Sequence, residues 1–534
     1  MLDIMEPEHS TAADHPRVYG ALAGVLAAAV ALVFGEIVAA AHDDIPGLVL
    51  GMGEWVLDVL PGEAARAGID NLGSSGKAWL LPGITITALL VAAVLGDLSK
   101  RYSVRIGIVG FAAFGLLGGF TTARNPRSPA VTSWIWSLVA AGVGIAVLVF
   151  LLARLTRPTR LASFREDPRE KRATRRAFLS WSAGAGAVAV TGFGIARNID
   201  GRSVAEVARE GIDLTGGGTT TLAGSSAGTP VTPGSFDTVP GIASYVTPNN
   251  TFYRIDTALR VPQVDPATWS LSFTGMVDDP YTLTFDEILA MEELEEHTVT
   301  LSCVSNEVGG GLVGTAEWLG VPLSSLLARA GVQDGATQIV GRSVDDWTAG
   351  FPTDTLDDGR TALLAVGMNG EPLPIIHGFP ARLVVAGLYG YVSAVKWIEE
   401  IRLTRWEDFD GYWVPRGWSK EGPMKTMSRI DVPRHRDSVA AGPTAVAGVA
   451  WSPPRGIRAV EVSIDEGDWA ACEIAAPGTD ETWVQWKTEW DATPGDHRLQ
   501  VRAVDGDGVL QPIGPKRVDP DGAEGWHEIR VSVS

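Results

Sequence analysis

Between Val18 and Ala196 the chain carries five apolar runs: Val18–Ala41, Ala78–Leu95, Ile106–Phe120, Trp134–Leu152 and Ala177–Ala196. Each approaches the roughly 20 residues with which a helix crosses a bilayer, and Ile106–Phe120 is the shortest. Residues 1–200 are therefore expected to form a transmembrane helical bundle of about five spans. Val18–Ala41 is not a cleavable leader, because no basic stretch precedes it and further spans follow.

Orientation follows from Lys and Arg in the short connections. Lys100, Arg101 and Arg105 lie in one connection; Arg154, Arg157, Arg160, Arg165, Arg169, Lys171, Arg172, Arg175 and Arg176 lie in another. Placing both in the cytoplasm puts everything after about Asn198 on the extracytoplasmic side of a multi-pass cell-membrane protein. Thr174-Arg175-Arg176-Ala177-Phe178-Leu179 resembles a twin-arginine export signal at an internal position; an ordinary basic helix flank reads the same way. No His lies within a span, so the bundle offers no pair of haem ligands. Glu36, near the outer end of the first span, is an intramembrane acid or an interfacial one. Gly107-x-x-Gly110 and Gly115-x-x-x-Gly119 suit close helix packing.

The remainder is different in kind. The net charge of −20 arises mainly in the second half and argues against nucleic acid as a partner. Residues 201–240, with Gly216-Gly217-Gly218 and Gly224-Ser225-Ser226, read as a flexible tether; the triple glycine lacks the Gly-Lys-Ser/Thr ending of a phosphate loop. Over 241–434 short strand-like runs (Trp269–Gly275, Thr298–Cys303, Thr337–Gly341, Ala381–Val385, Ile398–Leu403) alternate with helical ones (Phe285–Met291, Leu323–Ala330), the pattern of a mixed α/β domain. Over 435–534 the chain is all strand and turn. Val460–Ile464 alternates with period two, and Arg498–Ala503 leads into Asp505-Gly506-Asp507-Gly508, as in a β-sandwich.

There are two cysteines. Cys303, in Leu301-Ser302-Cys303-Val304-Ser305-Asn306-Glu307, ends a short apolar strand in a polar loop. That position suits a thiolate ligand or nucleophile, a half-buried structural cysteine, or a disulfide to Cys472.

Several separated blocks, in order, resemble the sulfite oxidase family of molybdopterin-dependent oxidoreductases, over roughly Pro240 to Ser534. They are Thr247-Pro248-Asn249-Asn250-Thr251-Phe252-Tyr253, the Cys303 loop, Trp318-Leu319-Gly320-Val321-Pro322-Leu323 read as a turn, His377-Gly378-Phe379-Pro380-Ala381-Arg382, and Gly387 to Trp397. The resemblance implies an N-terminal membrane bundle joined to a sulfite-oxidase-like mixed α/β domain and a C-terminal immunoglobulin-like dimerisation domain. It also implies a molybdenum–molybdopterin cofactor with Cys303 as the protein ligand to molybdenum. By the same resemblance Asn250, Tyr253, Ser343, His377, Arg382, Ala394 and Lys396 contact the pterin, Arg382 and Lys396 its phosphate. Tyr412, in Asp410-Gly411-Tyr412-Trp413, is a candidate catalytic tyrosine or a loop aromatic.

Sulfite-oxidising members of the family carry arginines after the cysteine loop and in the opening motif. Here Asn306-Glu307-Val308 follows the cysteine and Ile255 takes the motif position, with Arg254 one residue early. The loop resembles that of the bacterial periplasmic methionine sulfoxide reductases, which lack the C-terminal sandwich. The expected reaction is oxygen-atom transfer to or from a small, neutral S- or N-oxide, with a sulfite dehydrogenase or oxidase as the alternative. A separate cytochrome or quinone carries the electrons. From other classes, the rivals are a cofactor-less tethered binding protein on this fold and, less well supported, a transporter.

Overall fold

The computed structural model describes residues 18–42, 45–60, 76–125, 128–155, 168–199, 203–212, 214, 236–476 and 478–534. These fall into two compact units, Met1–Gly201 and Arg202–Ser534.

The first unit contains helices α1 (Val18–Ala41), α2 (Leu48–Val59), α3 (Gly76–Arg101), α4 (Val104–Thr122), α5 (Ala130–Leu155) and α6 (Pro168–Ile199). Among the described residues four helices are long and apolar enough to cross a membrane: α1, α3 from Trp79, α4 and α5. The fifth expected span falls in α6, some of whose side chains lie outside the described residues, as does much of the basic connection Arg154–Arg176. The short helix α2 was not legible from span length. Small residues bring the backbones together. A Cβ on Gly24 would sit 1.9 Å from the Ala92 carbonyl oxygen, and one on Gly96 would sit 2.2 Å from that of Gly20. The glycines of α4 serve likewise: Gly115 lies against Ala141 and Gly119 against the Trp134 ring. Gly24→Val should therefore force α1 and α3 apart at a cost of roughly 1–3 kcal/mol. A thermal melt of the detergent-solubilised protein checks this, with Gly142→Val, where a Cβ meets nothing within 4 Å, as the control.

The second unit begins with helix α7 (Val204–Glu210), closed by a Ser203/Glu206 capping box. This corrects the reading of 201–240 as tether throughout. Ala205 is buried in the core, and Arg209 donates to the carbonyls of Pro372 and Leu373. Most of the Gly/Ser-rich remainder, 215–235, lies outside the described residues.

Strands β1 (Ser270–Gly275), β2 (Tyr281–Thr284), β3 (Glu295–Ser302), β4 (Val313–Pro322), β5 (Gln338–Ser343), β6 (Thr348–Pro352), β7 (Ala362–Met368), β8 (Glu371–Pro372), β9 (Arg382–Val385) and β10 (Ile398–Thr404) make two sheets. One runs β2-β1-β10-β5-β6; the other runs β3-β4-β7-β8, with β9 also pairing β7. Helices α8 (Phe285–Leu289), α9 (Leu323–Ala330) and α10 (Gly390–Ser393) connect them. Leu271, Phe273, Leu301, Trp318, Leu364 and Ile401 share their core. The segment expected as a turn, Trp318–Pro322, is the end of strand β4, with Trp318 fully buried. Its apolar, bulky residues favour a strand buried on both faces over a turn.

Strands β11 (Met427–Val432), β12 (Ser438–Val439), β13 (Gly442–Trp451), β14 (Ile457–Ile464), β15 (Ala470–Ala471), β16 (Glu473–Ile474), β17 (Val484–Ala492), β18 (Gly495–Asp505) and β19 (His527–Val533) form two further sheets, β11-β13-β17-β16 and β12-β19-β18-β14-β15. Alternate residues Val460, Val462, Leu499, Val501, Ile529 and Val531 pack with Trp486 and Trp490 into a common core. The expected boundary at 434/435 moves upstream, because β11 pairs with β13 along Met427–Val432. A smaller apolar cluster, in which Tyr245 and Val313 meet Met427, Trp451 and Trp483, joins the two regions.

Candidate active site

Both cysteines are free, so no disulfide joins Cys303 to Cys472. Cys303 follows the last residue of β3 and is 8% exposed. Its N–H donates to the Leu312 carbonyl at 2.9 Å, and the Ser305 N–H donates to its sulfur at 3.4 Å. Asn306 is buried; its side-chain oxygen accepts from the Leu312 N–H at 2.7 Å, which closes the loop. Burial pushes the Cys303 thiol up, against the pull of the Ser305 hydrogen bonds. A bound metal cation reverses that preference and holds the sulfur as thiolate.

The opening motif and the two pterin-type blocks converge beside this loop. Tyr253 is half-buried; burial raises its hydroxyl, the Cys303 thiol adds to the rise, and the Arg382 guanidinium opposes it. Tyr253 therefore lies within electrostatic reach of both. Its neighbour Phe252 stacks on it and meets Trp318 and His377 edge-on. Arg382 lies over the Trp318 ring at 4.9 Å. A backbone bridge pairs Arg382 with Lys396. Gly378, at φ +115°, is pressed between them; a Cβ there would lie 3.0 Å from that of Arg382 and 3.2 Å from that of Lys396. Trp397 holds φ +51°, an uncommon backbone state for a bulky side chain and a mark of local constraint.

His377 is 2% exposed and its Nε2–H donates to the Asn249 carbonyl at 2.9 Å, leaving Nδ1 as an acceptor. Burial lowers its pKa to about 4, reinforced by Arg382, Lys396 and Arg254, so the ring is neutral at pH 7. His527 is lowered to about 4 for the same reason, burial, with Arg429 adding to it. Both histidines take protons more readily in the unfolded chain, whose ordinary value is 6.5. Stability is then complete above pH 6.5 and is lost as pH falls toward 4. The expected loss is roughly 2–3 kcal/mol per histidine. Melting curves across that window, with His377→Gln flattening the profile, check this.

Lys396 is buried, and its ammonium pairs with Asp256 at 2.8 Å. Burial lowers its pKa to about 8, and Asp256 opposes the fall. Asp256 also takes Arg254 at 2.8 Å. Lys396 carries a carboxylate partner, whereas Arg382, 5% exposed, donates to the carbonyls of His377 and Leu383. Among the described residues no carboxylate pairs with Arg382. Burial lowers its pKa to about 10.

Ser343 ends β5 opposite Ile398. It is fully buried, and its hydroxyl has no hydrogen-bond partner among the described residues. Ala394 follows α10, whose first residue, Gly390, comes within 3.9 Å of the Ser302 carbonyl when given a Cβ. Asn250 is exposed; its neighbour Asn249 is the one bound to His377 and Asn369. Tyr412 is half-buried, with Arg416 over its ring at 3.6 Å and its N–H donating to Thr348. The tyrosines that feel the Cys303 thiol are Tyr253 and Tyr389, the latter raised to about 12, chiefly by burial. Asp256 and Tyr389 were missed as site residues, although Tyr389 lies inside a motif block.

This domain supplies a soft sulfur donor, a glycine pressed between Arg382 and Lys396 and, among the described residues, a buried cation with no carboxylate and an unpartnered hydroxyl. This donor set fits an anionic, hydrogen-bonding metal–pterin group.

Comparison with known proteins agrees. The family model described as the oxidoreductase molybdopterin binding domain matches residues 258–413. Mitochondrial sulfite oxidase of Homo sapiens is 29% identical over 346 residues, covering 54% of this chain and 62% of its own. The nitrate reductase [NAD(P)H] of Hordeum vulgare is 27% identical over 308 residues, 46% of this chain and 34% of that protein. The uncharacterized oxidoreductase YuiH of Bacillus subtilis (strain 168) is 34% identical over 160 residues, 30% of this chain and 76% of that protein. The chain spans less than two thirds of the length of the first two. From the motif order, the convergence of those motifs on Cys303 and these likenesses, the chain belongs to the sulfite oxidase family of molybdopterin-dependent oxidoreductases.

Proposed function

We infer that this chain is a membrane-anchored oxidoreductase whose molybdopterin domain lies on the extracytoplasmic side and exchanges one oxygen atom with a small neutral S-oxide or N-oxide. The observation that carries the cofactor reading is Arg382, a buried guanidinium with only carbonyl and indole partners among the described residues. A charge in that position is poorly solvated, and an anion bound beside it would offset that cost. The molybdenum–molybdopterin group, when bound, supplies two-electron oxygen-atom transfer. Cys303 gives the protein sulfur, Arg382 meets the phosphate, and Ser343, neutral His377, Tyr253 and the backbone near Ala394 orient the pterin. In this reading exposed Asn250 also contacts the pterin, and half-buried Tyr412 is the candidate catalytic tyrosine.

The substrate reading rests on charge. Asp256 neutralises Lys396 and occupies Arg254, while Glu307 is exposed one residue beyond Asn306. A dianion meets less positive field here than two unpaired cations would give. The sulfite reading is favoured by likeness to relatives named for sulfite oxidation. Steady-state kinetics of the purified full chain separates them. A kcat/KM for a sulfoxide or N-oxide at least about tenfold above that for sulfite is expected. The reverse order overturns the neutral-substrate reading.

The reading includes an external electron carrier, a cytochrome or quinone, since the sequence has no iron–sulfur or haem-attachment spacing. It also includes a homodimer formed through the C-terminal sheets, read as an immunoglobulin-like sandwich. The four apolar helices support the anchor, and the Lys/Arg pattern supports the orientation.

A further inference from the structure

The loop that carries Cys303 is held from the C-terminal sheets. Its two ends are tied to each other by Cys303 and Leu312, and within it the Gly310 N–H donates to the Glu307 carbonyl at 2.8 Å; the Gly310 carbonyl is held from outside. Arg429, on β11, donates from Nη1 to the Gly310 carbonyl at 2.9 Å. That guanidinium is itself set by Asp431, whose second oxygen accepts from the Ala243 N–H at 3.0 Å. His527, on β19, lies where a side chain on Gly309 would be; a Cβ there would come within 2.3 Å of the ring. Its Nδ1 accepts from the Ile430 N–H at 3.0 Å, so the ring cannot turn away without losing that bond. Gly309 has φ +77°, so the tip has neither room nor a ready backbone state for another residue. On the other side of the cysteine, the Thr300 N–H donates to the Glu481 carbonyl at 3.0 Å. The Trp483 N–H donates to the Thr300 hydroxyl at 2.7 Å.

We propose that the C-terminal β region positions the Cys303 sulfur, and that Arg429 is the positioning residue, acting through its hydrogen bond to Gly310. Its hydrogen bonds run to Gly310 and Asp431. Losing one charge-assisted hydrogen bond lets the loop tip open while the strands on either side stay paired. Local opening exposes the thiol, and in the loaded protein it would change how the chain presents that sulfur to the metal.

The test uses the full chain in a Cys472→Ser background, so that Cys303 is the one thiol. In protein made without cofactor, the rate of iodoacetamide alkylation is measured. Arg429→Ala is expected to raise that rate about tenfold, and Arg429→Lys to restore much of the protection. In protein loaded with cofactor, molybdenum content is expected to stay unchanged while the Mo(V) electron paramagnetic resonance signal shifts. Should Arg429→Ala fail to fold, Arg429→Gln, which keeps a donor of shorter reach, carries the same comparison. An alkylation rate and a resonance signal that both match the wild type overturn the proposal. The metal-facing arm rests on the molybdopterin reading; the alkylation arm does not, so failure of one is distinguishable from failure of the other.

Discussion

Cys303→Ser is expected to leave a folded chain with little residual turnover. The hydrogen bonds of the sulfur come from Ser305, its N–H among them, and a serine oxygen can accept the same donors. The rest of the loop is closed by backbone groups and by Asn306. Stability should therefore stay within roughly 1 kcal/mol of the wild type. The loss of oxygen-atom transfer should exceed the roughly 100-fold that removal of an outer partner costs a metal site, because the group lost is the ligand itself. Circular dichroism with activity measured on the same preparation separates the two effects. Wild-type turnover in the variant contradicts the ligand role of Cys303.

Arg382→Met is expected to separate stability from cofactor retention in the opposite direction. The guanidinium is buried, has no carboxylate partner among the described residues, and is held by two carbonyls and the Trp318 face. Burial alone lowers its pKa to about 10, a measure of how poorly the charge is solvated. An apolar side chain of similar length removes that cost, so the cofactor-free variant should be as stable as the wild type or up to about 2 kcal/mol more stable. The anion that the charge serves then has no counterpart, and cofactor content should fall at least about tenfold. Melting temperature and pterin content, measured on the same samples, check both halves. A variant that keeps its cofactor shows that the phosphate is held elsewhere, with Lys396 the next candidate.

What could be read in advance was local. The motif around Cys303 and the block from His377 to Arg382 are contiguous stretches whose residue types carry their own chemistry, and the structure brings them together. Alternation in Val460–Ile464 and Arg498–Ala503 announced strands for the same reason. What could not be read depends on distant partners. Nothing near Lys396 in sequence shows that Asp256, 140 residues earlier, neutralises it. Met427–Val432 stood inside the expected α/β domain, because its pairing with β13, beyond the intervening β12, is visible only in the fold. Helix α7 was hidden by the glycine-rich stretch that follows; it and the residues just after it bring few apolar contacts to the core, Ala205 and then Ile212. Asn249 and Asn250 are adjacent and chemically alike, and only the fold shows which of them meets His377.

The most direct test of the whole account is the molybdenum and pterin content of the purified full-length protein, produced in a host that makes the cofactor. About one molybdenum and one pterin per chain, falling sharply in Arg382→Met, is the expected result. Neither metal nor pterin in the wild-type protein would contradict the account and favour a tethered binding protein built on the same fold.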